Sequence, residues 1–339
     1  VSEIDGVAET TTGTHFAIAV TGKSAGQIGT VSCILVNTNV ATLDVPGGGT
    51  GRQTLPSNNI LVGNGVDPIK LISTKSGAFY ATGDNTEPSF NTLPIAQGGT
   101  GATSENNARI NFGFLNNDGA HNSIWRGLSL GTSVTTAQWT AISNGTFENL
   151  YIGDYWTIND IVWRIWHFNY YINVGDTNCT TNHVTIVPDK TLYSAKMNDT
   201  DIVTGAYAGS KMRTTYLDTA KTTINNAFGS VHVLNHRVML ANAVTDAKPT
   251  GWSWYDSTVE LMAEFQVYGA RDNIYEIATQ TGQFAATLLN HKIINMRIVY
   301  WLQNIASNTS FTIIDNLGAI GSFPASWETG IRPYFQIIG

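Results

Sequence analysis

The chain has 339 residues, enough for two or three domains or for one domain on a fibrous stalk. Only 13% of the residues are charged, and the formal net charge is -7. A low-charge chain rich in Gly, Thr, Asn and Ser is typical of extracellular β-rich and fibrous viral proteins, and it disfavours a cytosolic helical enzyme. The chain has no basic stripe and no apolar run of the ~20 residues that span a bilayer, so neither nucleic-acid binding nor membrane insertion is expected.

The composition changes near residue 115. Gly, Thr, Asn and Val dominate before it, and all nine tryptophans follow it. Tryptophans in such numbers indicate a compact core, a binding surface, or both. We therefore predict an N-terminal β segment at residues 1–45, a Gly-rich stalk at 46–115 and a C-terminal domain at 116–339. The two cysteines, Cys33 and Cys179, fall in different parts, so we expect unpaired thiols and no disulfide framework.

The first third of the chain contains an internal repeat. The run PGGGTG at residues 46–51 resembles PIAQGGTG at 94–101, and the two Gly-Gly-Thr-Gly cores lie about 50 residues apart. Adjacent glycines permit positive φ angles and close backbone approach, which predicts a crowded turn, such as one where three chains meet near an axis. A phosphate-binding loop is disfavoured because the Gly-Lys-Ser/Thr ending is missing. The predicted turn residues are Gly48, Gly49, Gly51, Gly98, Gly99 and Gly101.

Short elements are predicted between the two glycine turns and directly after the second one. Residues 59–65 predict a strand that enters a tight turn, and residues 69–72 predict the strand that leaves it. Residues 103–113 predict a short helix that Thr103 or Ser104 can cap and that Gly113 ends.

The motif that spans this helix is specific. The run PIAQGGTGAT at 94–103, followed by a short helix with Ala and Arg that ends in Phe112-Gly113, resembles the recurring stalk motif of bacteriophage tail fibres. The resemblance covers roughly the first third of the chain. It implies a homotrimeric, extracellular virion fibre that contacts other tail proteins and ends in a C-terminal adhesive tip.

The C-terminal part shows both helical and strand periodicity. Helices are predicted where apolar residues recur every three to four positions, and strands where they alternate or form short runs. The pattern, with helices early, strands late and long irregular loops between them, indicates an α+β domain. The predicted elements are helices at 135–142, 216–228 and 258–268, a hairpin at 155–165 that turns at Asn159-Asp160, and strands at 183–188, 298–302 and 334–338.

Three segments of this domain resemble the C-type-lectin-like fold found in tail-associated phage proteins. They are residues 182–189, residues 300–302 and the ending at 330–335, which has the pattern Gly-x-Arg-Pro. The resemblance implies that the segment before this ending, Gln303 to Trp327, carries exposed contact residues. Its mixture of small polar and aromatic residues is also typical of antibody paratopes. The candidate receptor-binding residues are Tyr255, Gln303, Asn304, Ser307, Asn308, Asp315, Asn316 and Trp327.

Tyr255 is the candidate from a separate aromatic run. In an extended segment, alternate side chains share a face. Trp252 and Trp254 are therefore expected to be buried together, which leaves Tyr255 as the contact.

Neither a metal nor a cofactor is expected. Calcium, the usual ligand of sugar-binding lectins, remains an open alternative, but only the fragments Asp315-Asn316 and Asp272-Asn273 offer the oxygen ligands it needs. His232 and His236 have the spacing of a helical metal pair, yet no third ligand is evident.

The chain is also expected not to be an enzyme. Glycoside hydrolysis needs a pair of carboxylates across a cleft. The acidic residues Asp154, Asp160, Glu260, Glu264, Asp272 and Glu276 show no such pairing, and Glu260 and Glu264 are predicted on a solvated helix face. The sequence thus favours a receptor-binding tail-fibre protein that attaches to a host surface glycan or outer protein. The alternatives are a tailspike-type glycan depolymerase and a purely structural decoration or baseplate protein.

Overall fold

The chain is sheet-rich with few helices, in agreement with the α+β class expected from the sequence. The computed structural model describes residues 49–82, 86–112, 117–269, 279–294 and 296–339, and the backbone of residues 15–19 and 33–37. Contacts divide the chain into two units, one ending at Ala102 and one covering Thr103–Gly339. The helix predicted at residues 103–113, which the sequence assigned to the stalk, therefore belongs to the second unit. None of the described helices is long and apolar enough to cross a membrane.

The first unit consists of short two-stranded antiparallel sheets, which pair β1 with β2, β3 with β4 and β5 with β6. The predicted strands at residues 59–65 and 69–72 are confirmed as β3 and β4, one hairpin with Asn59 opposite Ser73. The strands are β1 (His15–Ala19), β2 (Cys33–Asn37), β3 (Asn59–Val62), β4 (Lys70–Ser73), β5 (Ala78–Tyr80) and β6 (Ser89–Asn91).

The described parts of both Gly-Gly-Thr-Gly segments are crowded, since a Cβ on Gly51 would lie 2.8 Å from Cα of Pro68 and a Cβ on Gly99 would meet Leu93. Gly51 and Gly101 occupy the same place in the two copies and have φ angles of +68° and +66°. In each copy the threonine Oγ1 accepts a hydrogen bond from the backbone N–H two residues later, at 3.4 Å from Arg52 and 3.3 Å from Ala102. The two copies therefore share one local conformation; Gly48 lies outside the described residues.

The crowding in the second turn arises within the chain. Gly98, at φ +84°, ends the 3₁₀ turn Ile95–Gln97. A Cβ on Gly99 would lie 2.0 Å from the carbonyl oxygen of Leu93, the same oxygen that accepts from the Gly101 N–H at 3.0 Å. Close approach to Leu93 thus explains the second glycine, and no neighbouring chain is needed to explain it.

Gly99→Ala should disrupt this turn far more than Gly98→Ala. Alanine at position 98 meets open space and carries only the cost of a positive φ, about 1 kcal/mol. Alanine at position 99 must move a backbone carbonyl. Hydrogen exchange of the Gly101 amide, which Leu93 protects, measures the difference. Equal exchange rates in the two variants would contradict this account of the motif.

The second unit contains two five-stranded sheets and a long hairpin. One sheet has the order β13-β18-β9-β8-β7, and the other has the order β10-β17-β14-β15-β16. The helices are α1 (Glu105–Asn111), α2 (Asp118–His121), α3 (Thr136–Ser143), α4 (Leu217–Phe228), α5 (Glu264–Tyr268) and α6 (Ala285–Leu289). The strands are β7 (Tyr155–Ile158), β8 (Ile161–Phe168), β9 (Val184–Pro188), β10 (Tyr193–Ala195), β11 (His236–Thr245), β12 (Lys248–Ser257), β13 (Val259–Leu261), β14 (Tyr300–Ile305), β15 (Ser310–Ile314), β16 (Ile320–Pro324), β17 (Thr329–Ile331) and β18 (Pro333–Ile337).

The first of these sheets is fully antiparallel, and the second contains one parallel pair, β14 with β17. The core is aromatic: Trp156, Trp163, Trp166 and Trp301 are fully buried. Phe228 of α4 packs edge-on against Trp163, with ring centroids 5.6 Å apart. The tryptophans that follow residue 115 thus build mainly a core.

Two local predictions for this unit are wrong. Strands β7 to β10 precede helix α4, so helices and strands are mixed along the unit and the helices do not all come early. The segment 258–268 is not one helix, because Val259–Leu261 pairs with β18 and only Glu264–Tyr268 is helical. Its apolar spacing fits both periods, and pairing with a distant strand decides the outcome.

Candidate functional site

A cavity of about 410 Å³ opens in the second unit beside the hairpin β11–β12. Its lining combines hairpin residues with the start of α5 and the end of β14. The apolar lining includes Met239, Pro249, Trp252 and Phe265, and the polar lining includes Lys248, Glu264, Gln303 and Asn304.

The register of the hairpin places Trp252 at this cavity. Ala241 pairs with Trp252 and Met239 pairs with Trp254, so these four side chains share one face of the hairpin. Trp254 packs against the core, and Trp252 is half-buried in the cavity lining. Both tryptophans are only half-buried, so the expected joint burial in the core is met only in part.

Tyr255 lies on the opposite face of the hairpin. It is half-buried opposite Val238, and its ring lies under the Arg213 guanidinium, 4.8 Å from the centroid. Tyr255 does not line the cavity. The residue that sequence reasoning chose as the contact thus packs against an arginine, and its neighbour Trp252 occupies the concave surface.

A buried polar network forms the floor beneath the cavity. The Glu260 carboxylate accepts from Tyr207 Oη at 2.7 Å, from Ser257 Oγ at 2.7 Å and from Arg213 Nε at 2.9 Å. Burial, and next the Glu260 charge, raise the pKa of Tyr207 well above its usual value, so its hydroxyl stays a donor. The placement of Glu260 on a solvated helix face is therefore wrong: the side chain is 1% exposed on a strand and fully paired.

Gln303 and Asn304 belong to strand β14, not to an exposed loop. The Gln303 side-chain amide donates to the Leu261 carbonyl oxygen, and the Asn304 Oδ1 accepts from the Glu264 N–H at 2.8 Å. Both side chains are half-buried and line the cavity. The structure thus brings together two of the eight predicted contact residues.

The other predicted contacts lie on or beside the turns of the meander β14–β15–β16. Ser307 and Asn308 occupy the first turn, and Asp315 and Asn316 the second. Trp327 follows β16; it is 55% exposed, and its ring lies 5.3 Å from that of Phe323. The segment 303–327 is therefore a regular sheet with two short turns, and its candidates do not converge on one point.

The predicted metal fragments have local roles where they are described. The Asp315 carboxylate accepts from the backbone N–H groups of Ala319 and Leu317, which lower its pKa and shape the turn. His232 and His236 do not share a helix: His232 stacks on Trp139 at 4.0 Å, and His236 begins β11. Within the described ranges, no three His, Cys, Asp or Glu side chains form a group that could hold a metal, and Asp272-Asn273 lies outside those ranges.

Two of the carboxylates weighed for catalysis, Asp154 and Glu260, are buried and paired with arginines. Asp154 is fully buried and accepts from Arg126, from the Leu128 N–H at 2.9 Å and from the Tyr151 N–H at 2.8 Å. Asp160 lies in the hairpin turn between β7 and β8, and Asp272 and Glu276 lie outside the described residues.

The cavity could not be predicted from the sequence, because the residues that line it are far apart in the chain. Met239, Phe265 and Asn304 approach one another only through hairpin register and sheet order. The one local signal was Trp252 at an alternating position of a strand, which fits a core as well as a binding wall.

No protein-family model, no curated protein and no solved structure matches this chain.

Proposed function

We propose that this chain is a receptor-binding protein of a tailed-bacteriophage fibre, in which a homotrimeric Gly-rich stalk carries a C-type-lectin-like tip. On this proposal the protein is a non-enzymatic, extracellular part of the virion and attaches to a host surface glycan or outer protein. The observation that carries it is the repeated Gly-Gly-Thr-Gly segment, in which the last glycine has φ +68° in one copy and +66° in the other and the threonine accepts the same backbone hydrogen bond in both.

The repeat supports a fibre because a conserved local conformation at a fixed spacing is the signature of a repeated architectural unit. Trimerisation would help such a protein, since three weakly binding tips on one particle gain avidity without any new contact.

The second unit supports a binding role over a catalytic one. The carboxylates buried among its described residues, Asp154, Asp189 and Glu260, are each paired with an arginine, so all three serve the fold. Its concave surface combines aromatic, amide and charged side chains, a composition suited to recognition. A lectin-like tip also accounts for the Gly-x-Arg-Pro ending, whose Arg332 is fully buried in the core.

Binding of the labelled full chain to a panel of Gram-negative and Gram-positive bacteria tests this function. We expect strain-selective binding, together with a solution mass three times that of one chain by light scattering. Shortening of purified surface polysaccharides by the protein would support the depolymerase instead. Failure to bind any strain on a broad panel would favour the structural virion component.

A further inference from the structure

We propose that the cavity beside the hairpin β11–β12 binds one pyranose ring of a bacterial surface glycan, with Trp252 as the stacking platform. This inference rests on the proposed function and deepens it, because it selects a glycan over a protein receptor and assigns the site. On this proposal the main aromatic contact is Trp252 and not Tyr255.

The apolar wall suits the C–H face of a sugar ring. Trp252 presents a half-buried indole, and Met239, Pro249 and the buried Phe265 extend the apolar surface around it. Aromatic rings bury large areas at a small entropic cost and can retain a polar edge, so they bind ligands that are part apolar and part hydroxylated.

The polar residues of the lining supply groups that can bind hydroxyls. Glu264 carries a carboxylate, while Gln303 and Asn304 carry planar amides, and all three line the same cavity. A sugar hydroxyl both donates and accepts, so it needs acceptors and donors side by side. The side-chain amide nitrogen of Gln303 already donates to the backbone of Leu261, which leaves its carbonyl oxygen as an acceptor for a ligand.

The walls are held in place before a ligand arrives. Asn304 is tied to the backbone N–H of Glu264, and Tyr207 in the floor is tied to Glu260 and to the N–H of Leu261. Preorganised polar groups lose little freedom on binding, so little of the interaction energy is spent on ordering the site.

The volume of the cavity and the charge of a residue in its lining limit the class of ligand further. At about 410 Å³ the cavity lies at the small end of ligand pockets, suited to one or two sugar residues and too small for a folded peptide element. Lys248 also lines the cavity and is exposed, and within the described residues it forms no ion pair. A cation at this position would strengthen the binding of sugars with acidic substituents.

The test uses the full chain on an array of purified capsular polysaccharides, lipopolysaccharide O-antigens and teichoic acids. We expect the wild type to bind at least one saccharide. Trp252→Ala should weaken that binding at least tenfold, as expected for an aromatic anchor. Glu264→Gln, which keeps the shape of the side chain, should weaken it several-fold and provides a second variant if Trp252→Ala fails to fold.

Trp139→Ala is the matched control, because it also replaces a half-buried tryptophan of the second unit but lies outside the cavity, stacked on His232. It should bind like the wild type. Unchanged binding by Trp252→Ala and Glu264→Gln, or loss of binding by Trp139→Ala alone, would overturn the cavity assignment.

The array and the cell panel together separate the two proposals. A wild type that binds cells but no saccharide contradicts the glycan inference and leaves the receptor-binding function standing. A wild type that binds neither contradicts both.

Discussion

Arg332→Met is expected to lower the free energy of unfolding of the C-terminal unit by roughly 4 kcal/mol, because hydrogen bonds from charged donors contribute about 1.5–3 kcal/mol each. Arg332 is fully buried, and its guanidinium donates to the carbonyl oxygens of Pro188, Ile293 and Ile294 at 2.9, 2.9 and 3.0 Å. Methionine fills a similar volume but leaves three carbonyls without their donor.

The aromatic surroundings add to this effect. The guanidinium carbon lies 5.0 Å from the ring centroid of Trp166 and 5.1 Å from that of Tyr300. Such cation–π contacts gain strength when they are removed from water. One arginine thus joins the end of β9, the 3₁₀ turn His291–Ile293 and two core rings.

Urea unfolding followed by near-ultraviolet circular dichroism measures the change. Arg332→Lys should recover little of the lost stability, because a single ammonium cannot reproduce the planar arrangement of the guanidinium N–H donors. Arg237→Met, at a solvent-exposed ion pair with Asp176, should move the midpoint far less. Equal midpoints for Arg332→Met and Arg237→Met would show that the Gly-x-Arg-Pro arginine does not organise the core.

Acidification is the second large effect, and its main cause is His167, His183 and His236, whose pKa values are strongly lowered. Burial lowers the pKa of His167 to about 3, of His183 to about 4 and of His236 to about 3, and the neighbouring His183 adds to the shift of the other two. His183 Nε2 accepts from the Tyr171 N–H at 2.9 Å, which requires a neutral ring.

The direction in which stability changes with pH follows from proton linkage. Below pH 6.5 the unfolded chain protonates these histidines while the folded chain does not, so stability falls as the pH falls towards the folded pKa values. With an unfolded pKa of about 6.5 for each, three histidines together lower the free energy of unfolding by about 3 kcal/mol between pH 6.5 and 5.5.

His236→Phe tests which groups are responsible. Phenylalanine preserves the ring packing against Tyr171, whose centroid lies 4.1 Å away, and removes an Nε2 atom that has no partner among the described residues. The variant should be near wild-type stability at pH 7.5 and should lose about a third of the acid sensitivity. Urea midpoints that do not change between pH 7 and 5 would contradict the buried neutral assignment.

Local signals in the sequence predicted several elements correctly. The hairpin β7–β8 turns at Asn159 and Asp160, whose φ angles of +52° and +61° suit short polar residues. Helix α4 has the expected apolar face and ends before Gly229. The second glycine turn was also predictable, because the residue that crowds Gly99 is Leu93, a few positions earlier in the chain.

Long-range features were not predictable in this way. Glu260 appeared solvated because its partner Arg213 lies 47 residues earlier and only the fold brings the two together. Gln303 and Asn304 were predicted to lie in a loop. They belong to a strand, and the order of the strands places them in the cavity lining. The choice between Trp252 and Tyr255 depended on hairpin register, which their alternating spacing alone does not determine.

Adhesion to bacteria after selective surface treatment tests the central claim most directly. Cells of a strain that binds the labelled protein are treated either with periodate, which cleaves vicinal diols of sugars, or with a broad protease. We predict that binding survives the protease, disappears after periodate and is absent for Trp252→Ala on untreated cells. Binding that survives periodate and disappears after protease would contradict glycan recognition, and absence of binding to every strain would contradict the receptor-binding role itself.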